Sequence, residues 1–461
     1  MGGVCAAALC FLYCFGLDRS GLLSADEPRY AAIARTMSQT GDWITPRLSG
    51  QPWFEKPALL YWMSGLGFEM GLGDELGPRL PIALSSLLFL AFFWWILRRM
   101  FGERASWYAS VILATSAGWL AYSRIAVADV PMSAAFAAAV LLVLRPRITS
   151  RVALAAGALL GIAVLAKGLV PLVLFLPALW TLRKQLSGLV IFSAALVAVA
   201  LPWYAACTWR NGNAFLVDFF WKHHFERFAS DSLAHVRPFW FYIPVLLAAL
   251  FPWTPLLALL PSKVLYRDPR LRLLLVSVAF GFLFFSASLN KLPGYLVPLL
   301  PLIAALLGVA LDRARWAAWP LAVSAFLLWL VPAAELVLPD ALKSGLSRTH
   351  VSLPWPDLLW AVPFAALCWA LEWQRRRAWA VALPAAATAL AALHLIFNTY
   401  PLLDREVSAR FPWKQLSPSF QKDACIGQMN RSLRYGLNYY AQRDLPPCHG
   451  NPGEIQLNPG R

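Results

Sequence analysis

Acidic residues of this sequence lie at the ends of apolar segments, where a charge is costly unless it has a use. Asp26 and Glu27 follow the first apolar segment, and Asp129 lies in the short turn 124–131 between two later ones. If this turn lies against the first loop, the carboxylates form one electronegative pocket. Such a pocket can accept a proton from a hydroxyl, hold a divalent cation or orient a cationic substrate. For Asp26, capping of a helix N-terminus is the alternative interpretation, and the two roles are compatible.

Lys56 and Lys167 predict an anionic ligand, because both lie on the membrane side that otherwise carries few basic residues. Phosphate is the expected anion, with each lysine as a point charge and Arg227 as a bidentate clamp. For Lys167, the alternative is a side chain that extends to the lipid headgroups. Three further residues of the same loops are equally well explained as solvated side chains, namely Arg47, Glu226 and Lys291.

A metal site is a further hypothesis for the same loops. His223 and His224, beside Glu226, can ligate a divalent metal such as Zn²⁺ or Mg²⁺ together with Glu55. An isolated pair of histidines is weak support for a metal, because histidine also serves as a proton carrier and pH switch. The sequence therefore leaves open whether a metal is required.

The elements that must position these residues are membrane spans. Of the 461 residues, 59% are hydrophobic and 14% charged, a composition far more apolar than the core of a soluble domain needs. Apolar runs near the ~20 residues that cross a bilayer recur along the chain, for example Leu80–Leu97, Leu186–Tyr204 and Trp316–Leu338. Gly2–Leu17 lacks a basic n-region and is expected to be a retained span. The pattern predicts an all-α polytopic membrane protein with about 13 transmembrane helices.

The net charge of +16 does not indicate nucleic acid, because the basic residues occupy alternate short loops. Under the positive-inside rule these loops are cytoplasmic, and the long segments, including 18–78, lie outside. The prediction is a multi-pass membrane protein whose candidate site faces the outer side, which for a bacterial inner membrane is the periplasm. The basic loop residues are Arg98, Arg99, Arg104, Arg145, Arg147, Arg151, Arg183, Lys184, Lys263, Arg267, Arg270, Arg272, Arg313, Arg315, Arg375, Arg376 and Arg377.

Two short helices are expected in the first outer loop, 18–78. The apolar spacing from Asp26 to Met37 predicts an amphipathic helix that stops near Gly41, and a second begins near Pro57. Both are expected to lie in the membrane interface. Residues 1–397 are predicted to form the transmembrane catalytic domain, and 398–461 a small periplasmic α/β tail. Within this tail, Cys425 and Cys448 lie where a disulfide can persist, but the sequence leaves open whether they form one.

No Walker loop, dinucleotide glycine fingerprint, zinc-finger spacing or nucleophile elbow occurs in the sequence. The energy for a reaction must then arrive with the substrate. A sugar linked to a lipid phosphate meets this need, because its phosphate is a good leaving group when cations hold it.

Several motifs in one order give the sequence a family resemblance. The motifs are Asp26–Tyr30, Gly41–Leu48, Phe54–Pro57, Arg124–Asp129 with Pro131 and Met132, Leu165–Gly168, His224–Phe228, Phe239–Tyr242 and Lys291–Tyr295. With these motifs the sequence resembles the bacterial aminoarabinose (lipid A) transferase branch of the protein-O-mannosyltransferase-like glycosyltransferases, up to about residue 312. That resemblance implies the GT-C fold.

The resemblance also implies roles for individual residues. Asp26 and Asp129 are the cavity carboxylates, with Glu27 beside them. Lys56 and Arg227 hold the carrier phosphate, and Glu55 with a neighbouring histidine, His224 or His223, binds zinc. The remaining donor-binding residues are Arg29, Tyr30, Lys167, Lys291 and Tyr295.

The expected function is therefore that of a glycosyltransferase of the EC 2.4 type. It is expected to transfer a sugar, either aminoarabinose-like or a hexose, from undecaprenyl phosphate. The transfer is expected to be a displacement that inverts the anomeric configuration. The C-terminal part departs from the family, which leaves lipid A, another glycolipid or a protein hydroxyl as acceptor. A monomer in contact with membrane lipids, and no nucleic acid, is expected. The alternatives are a protein O-mannosyltransferase-like enzyme, a lipid or solute transporter, and a non-catalytic glycolipid-binding protein; a transporter would place its charges near the bilayer midplane.

Overall fold

A computed structural model describes residues 2–145, 147–226, 237–263, 265–344, 349, 355–448 and 455–457. Helices account for most of this part of the chain. In chain order, the first half contains α1 (Gly2–Cys14), α2 (Asp26–Thr40), strands β1 (Arg47–Leu48) and β2 (Gln51–Pro52), α3 (Leu59–Glu69), α4 (Gly73–Phe101), α5 (Glu103–Thr115), α6 (Ala117–Tyr122), α7 (Asp129–Val143), α8 (Ser150–Lys167), α9 (Val170–Leu179), α10 (Leu186–Leu216) and a π-helical segment, Val217–Glu226.

The second half continues with helices and ends in a small mixed tail. In chain order it contains α11 (Tyr242–Ala249), α12 (Pro269–Ala287), a 3₁₀ segment (Pro293–Leu299) leading into α13 (Leu300–Arg313), α14 (Ala318–Phe326), α15 (Val331–Ser344), α16 (Leu358–Trp373), α17 (Arg377–Glu406), α18 (Arg410–Gln415), α19 (Pro418–Lys422), β3 (Ala424–Ile426), α20 (Arg431–Ala441) and β4 (Ile455–Leu457).

Within the described residues, seven helices are long and apolar enough to cross a membrane, and five shorter apolar helices of 10–17 residues accompany them. The polytopic helical class is thereby confirmed, whereas the number of spans stays a prediction. Large apolar side chains such as Leu88, Leu186 and Leu359 are 74–77% exposed, as expected of surfaces that face lipid.

The centre of the bundle is formed by α7 and the segment Pro293–Arg313. Every residue of α7 from Val130 to Val143 is buried, and Pro293–Arg313 is almost completely enclosed. Small residues bring helices together here: a Cβ at Gly308 would lie 2.5 Å from Ala109 of α5. Close backbone approach at such residues is typical of helix packing in membranes.

The first outer loop contains the two predicted helices, α2 and α3. Helix α2 ends at Gly41, whose φ of 69° and N–H bond to the Met37 carbonyl form a left-handed C-cap. Between the helices, β1 and β2 form a hairpin that the sequence analysis did not predict, with Ser49 and Gly50 at positive φ.

The tail lies against this first loop. Helix α17 continues past the predicted boundary at 398 to Glu406. β3 and β4 pair in parallel, and a disulfide joins Cys425 to Cys448. The Leu22 N–H donates to the Tyr440 hydroxyl at 2.9 Å. The tail therefore covers the loop that carries the first acidic motif.

Candidate functional site

Glu27 connects the first loop to the 124–131 turn. Its Oε1 accepts from the Ala126 N–H at 2.9 Å and from Arg79 Nε at 2.6 Å, and its Oε2 accepts from the Leu23 N–H at 2.8 Å. Arg79 also donates to the carbonyls of the chain leaving α1, including Leu17 and Gly21. Both side chains are almost completely buried. The turn thus lies against the first loop, as the pocket hypothesis requires.

Asp26 begins helix α2 and does not cap it. Ala25 occupies the N-cap position and Asp26 makes no capping bond, so the capping interpretation is wrong. Its Oδ1 instead accepts from Arg29 at 2.5 Å, one turn further along the same helix. With 47% of its side chain exposed, Asp26 remains open to an approaching acceptor.

Arg29 links Asp26 to a second charged pair. Its guanidinium lies 3.0 Å from Glu55, and Lys56 Nζ lies 3.4 Å from the same carboxylate. Glu55 and Lys56 precede α3 in the turn that follows the hairpin, so the fold brings two distant motifs together. Arg29 and Glu55 are buried, and Lys56 retains 16% exposure of its side chain.

Two tyrosines beside these charges stay protonated. Burial, followed by Glu55 and Asp26, raises the pKa of Tyr30 well above its ordinary range. Burial and then Glu55 do the same to the pKa of Tyr61. For Arg29, burial works against the charge, but Glu55, Tyr30 and Asp26 outweigh it, so the net effect raises the pKa. The cluster therefore offers neutral hydroxyl donors and a permanent cation.

Three buried donors of this cluster have no hydrogen-bond partner within the described residues: Arg29 Nε, Trp53 Nε1 and the Tyr61 hydroxyl. A buried unsatisfied donor costs about 1–3 kcal/mol. Oxygen acceptors of a bound ligand would satisfy such donors, so the arrangement suits an anionic, oxygen-rich group.

Asp129 and Lys167 form the second charged pair of the site. Lys167 Nζ lies 2.6 Å from Asp129 Oδ1 and 5.1 Å from the centre of the Tyr295 ring. Asp129 is the first residue of α7 and Lys167 the last of α8, and these are the helix ends that favour each charge. A Cβ at Gly294 would lie 2.6 Å from Asp129 Oδ1, so the 291–295 motif closes over this pair.

Tyr122, at the end of α6, responds to a carboxylate of each charged pair. Burial raises the pKa of this tyrosine, and the charges of Asp129 and then Asp26 raise it further. A Cβ at Gly294 would also lie 3.0 Å from the Tyr122 hydroxyl. The electrostatic field of both carboxylates therefore reaches Tyr122, and a single cavity shared by them stays a prediction.

Lys291 donates to backbone carbonyls. Its Nζ binds the Ser288 carbonyl and, at 3.1 Å, the Arg237 carbonyl. Burial lowers its pKa. The side chains of His223, His224 and Glu226, and Arg227 as a whole, lie outside the described part of the chain.

A metal centre is not formed by the described side chains: among them, no three His, Cys, Asp or Glu residues come together as ligands. Glu55 already contacts Arg29, Lys56 and the Tyr30 hydroxyl at 3.4 Å. Because both imidazoles are outside the described side chains, a metal at Glu55 stays a prediction.

Four aromatic residues of the site were not singled out as site residues from the sequence. Trp53 and Tyr435 each place a ring centre 5.5 Å from the Arg29 guanidinium, and Tyr61 and Tyr122 stand beside the carboxylates. Tyr435 comes from α20 of the tail, where no motif marks it. With Arg29 it lines a polar cavity of about 320 Å³ between α2 and the tail.

Known proteins match the part of the sequence that contains most of these site residues. The family model of dolichyl-phosphate-mannose-protein mannosyltransferases matches residues 13–219. An undecaprenyl phosphate-α-4-amino-4-deoxy-L-arabinose arabinosyl transferase from Pseudomonas aeruginosa is 30% identical over 490 aligned residues, covering 94% of this chain and 86% of that protein. A transferase of that kind from Pseudomonas fluorescens is 35% identical over 324 residues, covering 65% of this chain. The chain spans only 54% of the length of that second relative.

Solved structures show the same architecture. The crystal structure of ArnT from Cupriavidus metallidurans bound to undecaprenyl phosphate matches with a TM-score of 0.74 at 25% identity, covering 96% of this chain and 85% of that one. Arabinosyltransferase EmbB from Mycobacterium smegmatis, with a TM-score of 0.51 at 13% identity, covers 88% of this chain and 41% of that one and shares the fold alone.

The fold and the charged loop site together define a multi-pass membrane protein of the GT-C glycosyltransferase class. The similarity over nearly the whole chain narrows this class further. The chain belongs to the family of undecaprenyl phosphate-aminoarabinose arabinosyl transferases, so the resemblance predicted from the motifs is confirmed.

Proposed function

We propose that this chain transfers a sugar from undecaprenyl phosphate to an acceptor at the outer face of a bacterial inner membrane. The observation that carries the proposal is the Asp26–Arg29–Glu55–Lys56 cluster, which places carboxylates and cations beside unsatisfied buried donors. The names of the relatives, and the undecaprenyl phosphate bound to a structural neighbour, support this donor. Aminoarabinose is the proposed sugar, and lipid A the proposed acceptor.

The donor phosphate is proposed to bind at Lys56, with Arg227 and Lys291 as further cations. Lys56 has a partly exposed ammonium beside Glu55, so an incoming phosphate can take up part of its hydrogen bonding. The unsatisfied donors of Arg29 and Tyr61 lie in the same cluster. Binding energy from these contacts is greatest when the leaving phosphate gains charge, which lowers the barrier to cleavage.

The transfer is proposed to be a single displacement. An acceptor oxygen attacks the anomeric carbon while the bond from that carbon to the phosphate oxygen breaks, and undecaprenyl phosphate leaves with the electron pair. A hydroxyl acceptor gives its proton to Asp26, whereas a phosphate acceptor is already ionised and needs no base. The exposed Asp26 side chain suits this role. The product has inverted anomeric configuration.

Glu27 and Asp129 are proposed to position the reacting groups. The Glu27 carboxylate is occupied by Arg79 and two backbone N–H groups, so it orients the loop that carries Asp26. Asp129 and Lys167 fix one wall of the cavity, together with Tyr295. Tyr30, kept neutral beside Glu55, donates a hydrogen bond and keeps its proton.

The proposed topology has about 13 spans, a cytoplasmic N-terminus and a periplasmic tail. The Cys425–Cys448 disulfide supports this side for the tail, because disulfides persist in the oxidising periplasm. The polar cavity between α2 and the tail supports an acceptor with a polar headgroup.

A protein hydroxyl is the second candidate acceptor, because the matching family model is that of protein mannosyltransferases. Mass spectrometry of lipid A, total glycolipids and periplasmic proteins, from cells with and without the gene, separates the two. A pentosamine added to lipid A alone is the expected result, and a glycosylated protein with unmodified lipid A would overturn the proposed acceptor. NMR of the product tests the single displacement, which a retained configuration would contradict.

A further inference from the structure

A cavity of about 450 Å³ lies at the end of the bundle opposite the candidate site. The segment Pro293–Arg313 connects the two places: Gly294 closes over Asp129 at one end, and Asp312 lines the cavity at the other. For a 3₁₀ segment followed by a helix, the separation between Gly294 and Asp312 is on the order of 30 Å. The cavity therefore sits near the other membrane surface and takes no part in the chemistry proposed above.

Arginines from three separate segments line this cavity. Arg104 comes from the start of α5, Arg315 from the turn between α13 and α14, and Arg375 and Arg376 from the turn between α16 and α17. We call these four arginines together with Asp312 the basic pocket. Since the three segments are far apart in sequence, only the folded bundle brings this charge together.

The neighbouring pair Arg377–Glu372 is structural and does not change the charge of the basic pocket. Glu372 is 1% exposed, and Arg377 donates from Nε to both of its oxygens at 3.0 Å. Arg377 also binds the Ala314 carbonyl at 2.9 Å. Because Arg377 and Glu372 neutralise each other, the charge of the basic pocket comes from its four arginines and from Asp312. The basic pocket is therefore strongly positive.

The positive charge of the basic pocket is available to a ligand. Within the described part of the chain, Arg104, Arg315 and Arg376 form no ion pair, and all three are exposed. Arg375 Nη1 donates to the Arg315 carbonyl at 3.2 Å, which links two of the lining turns. The pocket is thus a fixed concave surface with uncompensated guanidinium groups.

The turn that carries Arg375 has a conformation that usually requires glycine. Arg375 has a φ of 61°, and its N–H and that of Arg376 bond to the carbonyls of Glu372 and Leu371. Such a helix end favours glycine, because a side chain is strained at positive φ. Here Arg375 occupies the strained position, so the backbone bears a conformational cost that places the Arg375 side chain at the pocket.

Tryptophans place the basic pocket at the level of lipid headgroups. Trp316, Trp373 and Trp379 flank the lining arginines and are 36%, 67% and 58% exposed. The rings of Trp316 and Trp373 pack edge to face with centres 5.3 Å apart. Exposed tryptophans at helix ends are typical of the boundary between headgroups and acyl chains.

We propose that the basic pocket binds the phosphate of an anionic glycerophospholipid in the leaflet opposite the candidate site. Guanidinium groups bind phosphate oxygens in a bidentate manner, and basic pockets between helix ends at the cytoplasmic surface suit anionic headgroups. The volume lies in the range of ligand pockets. This site is independent of the sugar transfer proposed above, and a lipid in it would hold the ends of α5, α13 and α17 together.

Native mass spectrometry of the purified full chain tests this proposal. The protein is presented with phosphatidylglycerol or phosphatidylcholine of identical acyl chains, at equal concentrations. Phosphatidylglycerol is expected to remain bound about fivefold or more in excess of phosphatidylcholine. The triple variant Arg104→Gln, Arg315→Gln, Arg376→Gln should lose this preference. Equal retention of the two lipids by the unaltered protein would overturn the proposal.

The matched control removes the same charge elsewhere on the same membrane side, with Arg183→Gln, Arg267→Gln and Arg272→Gln. It should keep the lipid preference, and an equal loss in both triple variants would show a diffuse charge effect instead of a pocket. Asp312→Asn leaves all arginines in place and should tighten lipid retention, so unchanged retention would contradict the pocket. Displacement of the lipid by millimolar inorganic phosphate would assign the site to a free anion and also overturn the proposal.

Discussion

The Glu27 carboxylate lies 2.6 Å from Arg79 Nε, and both side chains are at most 2% exposed. This ion pair joins the first outer loop to α4, and through the Ala126 N–H it also joins the loop to the 124–131 turn. A motif beginning Asp26-Glu27 therefore contains one half-exposed acid and one buried acid that fixes the loop against the neighbouring segments. The two neighbouring carboxylates have different roles, because only the Asp26 carboxylate is accessible.

Glu27→Gln is expected to destabilise the protein strongly. It leaves the Arg79 charge buried without its partner, and breaking a buried pair in this way costs about 3–5 kcal/mol. The apparent melting temperature of the purified protein in detergent measures the effect. Glu103→Gln breaks the exposed Arg98–Glu103 pair and serves as the control, with an expected loss below about 1 kcal/mol. Equal melting temperatures for both variants would show that the Glu27–Arg79 pair does not support the fold.

Asp26→Asn is expected to reduce transfer to a hydroxyl acceptor by about 10²-fold or more, since a positioned base contributes about that much. The variant should keep its melting temperature, because Asp26 is half-exposed. Rates with purified donor in proteoliposomes measure the effect. Asp18→Asn, an exposed acid of the same loop, is the control and should react normally. Normal turnover of a hydroxyl acceptor by Asp26→Asn would show that this residue is not the base.

Lys56→Ala is expected to weaken donor binding and slow cleavage together, because the lysine would hold the leaving phosphate in both states. A loss of at least about tenfold in kcat/KM corresponds to one charge-assisted bond. Lys414→Ala, at an exposed position of the tail, is the matched control. If both variants bind and cleave the donor alike, the phosphate must lie elsewhere.

Gly294→Ala is expected to disturb the site without unfolding the bundle. The added Cβ would lie 2.6 Å from Asp129 Oδ1 and 2.9 Å from the Tyr122 ring, so the Asp129–Lys167 pair must shift. A misplacement near 1 Å can cost on the order of 10²-fold in rate. Gly188→Ala is the control, since its nearest atoms are 3.6 Å away. Unchanged turnover in Gly294→Ala would show that this pair tolerates movement and does not position the substrate.

Local features of the first loop were predictable from the sequence because local chemistry determines them. The stop of α2 at Gly41 follows from glycine in a left-handed conformation, and the apolar spacing of Tyr30, Ile33 and Met37 predicted the buried face. Lys56 and Asp129 could be picked out from the sequence because charged residues are rare beside membrane spans. In the structure, Lys56 lies beside Glu55, and Asp129 is paired with Lys167.

The partners of these residues were not predictable, because they depend on contacts between distant segments. Arg79 is 52 positions from Glu27, and nothing in the sequence around either residue links them. Tyr435 approaches Arg29 only because the tail folds back over the first loop. The capping role considered for Asp26 is wrong, because Ala25 occupies the N-cap position and Asp26 is already the first residue of the helix. The Asp26 carboxylate instead accepts a hydrogen bond from Arg29 at 2.5 Å.

The most direct test of the proposed sugar transfer is a reconstituted reaction with the full chain, undecaprenyl phosphate-aminoarabinose and lipid A. We expect each sugar gained by lipid A to appear with one molecule of free undecaprenyl phosphate, and Lys56→Ala to abolish both nearly completely. A donor that crosses the bilayer intact, with no undecaprenyl phosphate released, would contradict the transferase and favour a transporter.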